Sequence, residues 1–291
     1  MAGVLGFTNI DMSGAEVAYG NSATQLVTMN DTNMRYLAGI PQSATNSTIS
    51  FSQLANAAFV VASSAGASVN VYTTATTAGW NGLGPLWFQI TGNTYSSATG
   101  TASVVVGGNF PKGLILQINS GVYVIGKGGG GGPGRKGASG LPGNTGGVAI
   151  AVSGYSGGQL YINNLGTIAG GGGGGGGGGY GNTYSPPSGY FAGSTTYYTG
   201  GTGGGAAAFG TGPVGSNSGT LLTGGAGTNG NGGTTVAAGK GGTGGTPGNS
   251  GSAGTGGTSP GAGGAAGAAT SGTVAASAIW INTGTRTGTV G

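Results

Sequence analysis

The chain has no cysteine and no histidine, and only 3% of its 291 residues are charged. The first absence removes disulfide staples and thiol chemistry; the second removes the commonest metal ligand and general base. Carboxylates are nearly as scarce: Asp11, Glu16 and Asp31 are the only three, so nothing after residue 31 offers an acid side chain. Paired-carboxylate catalysis and hard-cation binding both need several acids at one place. Ser, Lys and Tyr remain as nucleophiles, but no G-x-S-x-G elbow or S-x-x-K is present. A phosphate-cradle pattern is approached by Gly121, Gly126 and Lys127, yet Gly128 stands where the metal-binding hydroxyl belongs. The reading is therefore not an enzyme, with no catalytic residue, no cofactor and no metal.

Charge of either sign is thin. The net +4 comes from Arg35, Lys112, Lys127, Arg135, Lys136, Lys240 and Arg286, of which only Arg135 and Lys136 are adjacent. Nucleic-acid binding needs clustered Lys and Arg, so no nucleic-acid partner is expected. The N-terminus has no cationic stretch followed by an apolar run, and no window offers ~20 apolar residues, so neither a secretory leader nor membrane insertion is expected.

What the chain has is glycine, at 77 positions: 13 within the first 110 residues and 64 beyond. Such bias without a strict period usually means disorder, but disordered chains are kept solvated by charge, and this one has almost none. The shift after Phe110 suggests three parts: an attachment segment over 1–60, a small β unit over 61–110, and a glycine-rich domain over 111–291. Within the first, a helical turn is predicted near residues 33–37 and a strand at "STISF". Within the second, the alternation of Val69, Val71 and Thr73 and the run 86–90 predict strands. Trp80, Trp87 and Phe88 are the candidate core anchors there.

A short pattern occurs three times: "LQINSG" at 116–121, "LYINNLG" at 160–166 and "IWINTG" at 279–284. Alternating apolar residues followed by Asn and Gly fit a half-buried strand ending in a turn. Related strands thus bracket the glycine-rich region, which favours a folded unit over a tail.

Residues 170–179 are ten consecutive glycines. Ordering costs about 1–2 kcal/mol per residue, glycine being the most costly, while a net hydrogen bond contributes about 0.5–1.5 kcal/mol. A lone extended glycine helix makes no internal hydrogen bonds and cannot stand. Many packed side by side can, because without Cβ the backbones approach on every side, and ten residues then make a strut of about 31 Å. A slack tether is the alternative. "GPGRKGASGLPGNTG" at 132–146 holds a collagen-like rhythm for a few triplets only, which suits one or two struts of the same kind. The fold class expected is mainly β and irregular, with little α-helix and a domain of packed polyglycine II helices.

Among the glycine runs sit aromatic inserts. Tyr180, Tyr184, Tyr190, Phe191, Tyr197 and Tyr198 place six rings in 19 residues rich in Ser, Thr and Gly. That is the composition of antibody-like binding loops. Phe209, Leu221 and Leu222, in the next insert, would extend the apolar tip. Alternatively, the rings tuck against the lattice to close loop ends.

The inserts between polyglycine runs, "INNLGTIAGGGGGG" and the closing "WINTGTRTGTVG" resemble the glycine-rich distal tail proteins of tailed bacteriophages, in a layout similar to the tail-fibre adhesins of T-even-like phages. "NDTNMRYLAGIPQSATNSTISFSQL" also looks like a segment recurrent in phage tail and fibre proteins. The resemblance implies a virion protein of the distal tail fibre. Its N-terminal region would dock on a fibre or tail-tip protein. Loops at 180–198, 206–222 and 234–238 would grip an outer-membrane protein or glycan as bacterial receptor. Monomer and homotrimer stay open. A structural tail or capsid-decorating protein without its own receptor is the second reading, and an ice-binding protein the third.

Overall fold

The computed structural model describes residues 58–64, 66–82, 84–185, 194–213, 217–231, 237–272 and 278–290. The expected attachment segment, with its helical turn and "STISF" strand, lies almost wholly outside them. Among the described residues the protein is mostly β, with one short helix.

The chain visits three sheets in a fixed order, over and over. The first sheet stacks β1 (Phe59–Ser63), β3 (Leu86–Ile90), β6 (Leu114–Ile118), β9 (Leu160–Asn164) and β14 (Ala278–Asn282), all parallel. The second stacks β4 (Thr94–Tyr95), β7 (Tyr123–Ile125), β10 (Thr167–Ala169) and β15 (Thr285–Thr287), with Gly66 bridging Thr94 at one end. The third stacks β2 (Val69–Asn70), β5 (Val104–Phe110), β8 (Ile150–Gly157) and β13 (Thr270–Gly272), with Val290 bridging Thr270 at the other. Each circuit of the chain adds one rung to every sheet, giving a three-sided parallel solenoid. β3 and β6 pair in register across Phe110, so the composition shift there is not matched by a break in the sheets.

Side chains at equivalent places stack along the solenoid axis. Leu86, Leu114 and Leu160 form one column, Phe88, Leu116 and Ile162 the next, and all are buried in one apolar core with Val104, Ile150 and Val124. At one edge Phe110 stacks between Trp80 and Tyr155, with ring centroids at 5.4 and 5.2 Å. Trp80 and Phe88 join this core; Trp87 is buried as well, at the alternate position of β3.

The residues read as a continuing strand from Val69 to Thr73 do something else. Only β2 is extended, and α1 (Val71–Thr77) follows at once. Asn70 caps it, its Oδ1 accepting from the Thr73 N–H at 3.0 Å, and Val71 and Ala75 are buried at helical i, i+4 spacing.

The three "IN" repeats fall on β6, β9 and β14, neighbours in the first sheet. Gln89, Gln117, Asn163 and Asn282 occupy one register position on successive rungs. Asn282 Nδ2 donates to Asn163 Oδ1 at 2.8 Å, Asn163 Nδ2 to Gln117 Oε1 at 3.1 Å, and Gln117 Nε2 to Asn119 Oδ1 at 2.9 Å. The amides thus satisfy one another inside the stack, as buried polar groups must.

Both long glycine excursions leave the solenoid at the corner between the second and third sheets. Residues 126–149 connect β7 to β8, and residues 170–269 connect β10 to β13. Gly170 to Gly179 are buried throughout, and their hydrogen bonds repeat every third residue. The N–H groups of Gly171, Gly174 and Gly177 donate to Gly147, Asn144 and Leu141; those of Gly173 and Gly176 donate to Asn249 and Ser252; those of Gly175 and Gly178 donate to Gly204 and Gly201. Their carbonyls accept from three further segments: Gly267, Gly264 and Gly261; Gly245, Gly242 and Gly239; Gly129 and Gly132. One run is therefore surrounded by six others.

The packing distance explains the composition. A Cβ on Gly174 would overlap the carbonyl oxygen of Gly130, and one on Gly173 that of Gly264. Gly100, by contrast, would place a Cβ in open space. Gly174→Ala should lower the Tm of the full chain by about 5 °C or more, since overpacking against backbone costs about 1–3 kcal/mol or above. Gly100→Ala should leave it within about 1 °C. Calorimetry of the two variants checks this, and equal melting points would mean the run is not tightly packed.

Candidate functional site

The ten-glycine run has two ends, and the structure distributes the predicted site residues between them. At the far end Tyr180 forms an antiparallel bridge with Thr258. The chain continues into β11 (Gly181–Ser185), which pairs antiparallel with β12 (Ser194–Tyr198) in the register Asn182 to Tyr197 and Tyr184 to Thr195. Period-two alternation puts Tyr180, Asn182 and Tyr184 on one face with Tyr197, while Tyr198 belongs to the other. The Tyr180 and Tyr197 rings meet at 5.8 Å. Tyr184 is 64% exposed and Tyr197 41%, whereas Tyr180 and Tyr198 are half-buried. Tyr190 and Phe191, and residues 234–236 of the third expected loop, lie outside the described residues.

Beside this hairpin the first excursion turns back. Leu141 and Asn144 donate to Pro133 and Gly130, so residues 126–135 run out and 140–147 return. Gly137, at φ +67°, makes the reversal, and a Cβ there would press to 3.1 Å from the Tyr197 ring.

Phe209, Leu221 and Leu222 stand elsewhere. Phe209 packs on Tyr95 of β4 with centroids 4.8 Å apart, next to the solenoid. Its carbonyl accepts from Lys127 Nζ at 2.6 Å, and the Gly128 N–H donates to the Ala208 carbonyl at 3.0 Å. Desolvation holds the Lys127 ammonium below the ordinary lysine range. Ala208 and Phe209 both adopt left-handed backbone, φ 60° and 58°, which a residue with a side chain takes only when its surroundings enforce it. The enforcing contacts are the Ala208 and Phe209 N–H groups, which donate to Leu221 and Thr220 at 3.1 and 3.3 Å. Leu221 packs with Ala208, Ile125 and Ala169 in a small core where the glycine runs begin. Leu222 is 41% exposed at the same end. The expected single apolar tip is thus two groups, one at each end of the run. The reason is that residues 206–210 and 219–223 turn at the solenoid end, a direction that cannot be read from glycine-rich sequence.

Among the described residues, no group of His, Cys, Asp or Glu could hold a metal ion, and no helix is long and apolar enough to cross a membrane. What the far end offers is an exposed aromatic, hydroxyl-rich surface on a stiff support. Such a surface can hold a partner by contact.

A three-sided solenoid carrying a glycine lattice is a stiff framework of the kind on which a binding protein can display loops. Residues 56–291 match the family of the phage tail fibre adhesin Gp38, and the chain belongs to that family. No curated protein matches. Among solved structures it is similar to the crystal structure of the gp37–gp38 adhesin tip complex of the bacteriophage S16 long tail fiber, at 29% identity and TM-score 0.55, over 80% of this chain and 82% of that one. The protein is a tail-fibre tip adhesin of a phage virion.

The separation of the two aromatic groups has a measurable consequence. Phe209→Ala should lower the Tm by about 2–4 °C, since it removes an aromatic pair worth about 1 kcal/mol at the junction. Tyr184→Ala, at an exposed position, should change stability by no more than about 0.5 kcal/mol. Thermal unfolding of the full chain reads both, and an equal drop would erase the distinction.

Proposed function

We propose that the protein attaches its phage to bacteria by contact alone, gripping a surface receptor with the far end of the glycine lattice. The residues assigned to that contact are Tyr180, Tyr184, Tyr197 and Tyr198, with Tyr190 and Phe191 in the same insert. The observation that carries this is the exposure of Tyr184 and Tyr197 on one face of a hairpin, at the end of a fully buried glycine run. Tyr gives large contact area at low entropic cost, and a stiff support removes most of the ordering cost of binding. Phe209, Leu221 and Leu222 we assign to the junction with the solenoid instead.

The lattice in this proposal is one of packed polyglycine II helices. Support comes from the three-residue hydrogen-bond period, which equals the three residues per turn of that helix, and from the six neighbours around the central run. The other end belongs to the fibre. Residues 1–60 are assigned to docking on a fibre protein, by likeness to the gp37–gp38 complex. The family match begins at residue 56, so this assigned segment falls almost wholly outside it. No catalytic step enters the proposal.

Phage carrying Tyr184→Ser and Tyr197→Ser together should assemble normally and adsorb at least tenfold more slowly, since two central aromatic contacts are worth roughly 2 kcal/mol or more. Adsorption kinetics on host cells, with particle yield as control, measure this. Unchanged adsorption would falsify the assignment, and poor assembly would point to a structural role.

A further inference from the structure

Cations scattered along the sequence are gathered by the fold. Arg135 and Lys136 lie where the first excursion turns back. The Gly200 N–H donates to the Arg135 carbonyl at 3.3 Å, and Lys136 bridges Thr199. The following residue, Gly201, donates to Gly239 at 2.8 Å, and Gly239 immediately precedes Lys240, which bridges Thr255. Three exposed cations thus stand on adjoining segments at the end that carries β11 and β12.

No acidic side chain neutralises these charges within the lattice, because no Asp or Glu occurs after Asp31. Stability does not favour the gathering, since like charges brought together repel. The two strands beside them are equally selective. Apart from Tyr184, Tyr197 and Tyr198, the residues of β11 and β12 are Gly, Asn, Ser and Thr. A protein-binding surface is expected to centre on an apolar core. Tyr rings set among hydroxyls and amides suit a saccharide, whose apolar ring faces lie on Tyr and whose hydroxyls bond to Ser, Thr and Asn. Arg and Lys then take an anion, Arg as a planar fork and Lys as a point charge.

Resting on the reading that this end meets the cell, we propose that it binds a phosphorylated saccharide of the bacterial surface. Arg135, Lys136 and Lys240 hold the phosphate, and Tyr184 and Tyr197 hold the sugar rings. Three cations on adjoining segments match a group that can carry two negative charges, which favours phosphate over a single carboxylate.

The test uses the full chain, with lipopolysaccharide purified from a host strain and immobilised, before and after chemical removal of its phosphates. The wild type should bind the phosphorylated material at least tenfold more tightly, with affinity falling as salt rises from 50 to 300 mM, on the order of one Debye-screened contact per cation. R135Q/K136Q/K240Q should lose that preference while keeping the wild-type Tm. Equal wild-type affinity for both preparations overturns the proposal. So does absence of binding to either while phage still adsorb; if protease treatment of the cells then abolishes adsorption, a surface protein is the receptor and the adhesin contact itself stands. If adsorption does not depend on Tyr184 and Tyr197, the underlying reading fails instead.

Discussion

Along the run from Gly170 to Gly179, a neighbouring carbonyl oxygen occupies the place where a Cβ would be. This one constraint explains the composition. A backbone enclosed on all sides by other backbones has no room for side chains and so no hydrophobic core; its cohesion comes from hydrogen bonds, each modest after exchange with water. The run 170–179 therefore needs all six of its neighbours. A single chain supplies them only by going out and back repeatedly, and each reversal leaves a loop at one end. Loops are a geometric by-product of the lattice, and they are where side chains of any size fit.

The solenoid solves a different problem, which is where the runs begin. β7 and β10 are paired in register, Ile125 beside Ala169, and the glycine segments start at the next residue of each. The return strands β8 and β13 are likewise paired, Ile150 beside Thr270. Strands locked by an apolar core thus hand the glycine segments over already aligned. Local preference could not do this, because a glycine run has no side-chain pattern with which to choose a register. Phe209 on Tyr95 and Lys127 on the Phe209 carbonyl tie the neighbouring reversal to the same corner.

Much of this was legible in the sequence, and the gaps have physical causes. Scarce charge and abundant glycine pointed to a packed lattice, and the strand at 86–90 followed from its apolar run. The "IN" repeats marked real strands, but the ladder pairs Asn163 with Gln117 rather than Asn119, because register follows the stacked core and not the motif. Val71 and Thr73 alternate like a strand, yet Asn70 caps a helix there; short apolar patterns fit both periods. The break suggested at Phe110 is a change of composition within one continuous stack. Strands that pair only with the previous and the next circuit leave no local sign of their partners. The split of the aromatic inserts was hidden for a related reason: which end of the lattice a loop occupies depends on how many struts precede it, and glycine segments do not mark their direction.

The same geometry separates stability from recognition. Residues at the junction, such as Ala208 and Phe209, have strained backbone that is tied to the fold through Leu221, Thr220 and Lys127. Tyr184 and Thr195 are cross-strand partners in a two-stranded sheet separate from the three sheets of the solenoid. On the proposed reading, changing them would alter what the surface holds and leave the packing of the run beneath unchanged. A run held by backbone hydrogen bonds is indifferent to the chemistry of its loops. Three cations can stand at its far end because the hydrogen bonds of the run beneath do not depend on charge.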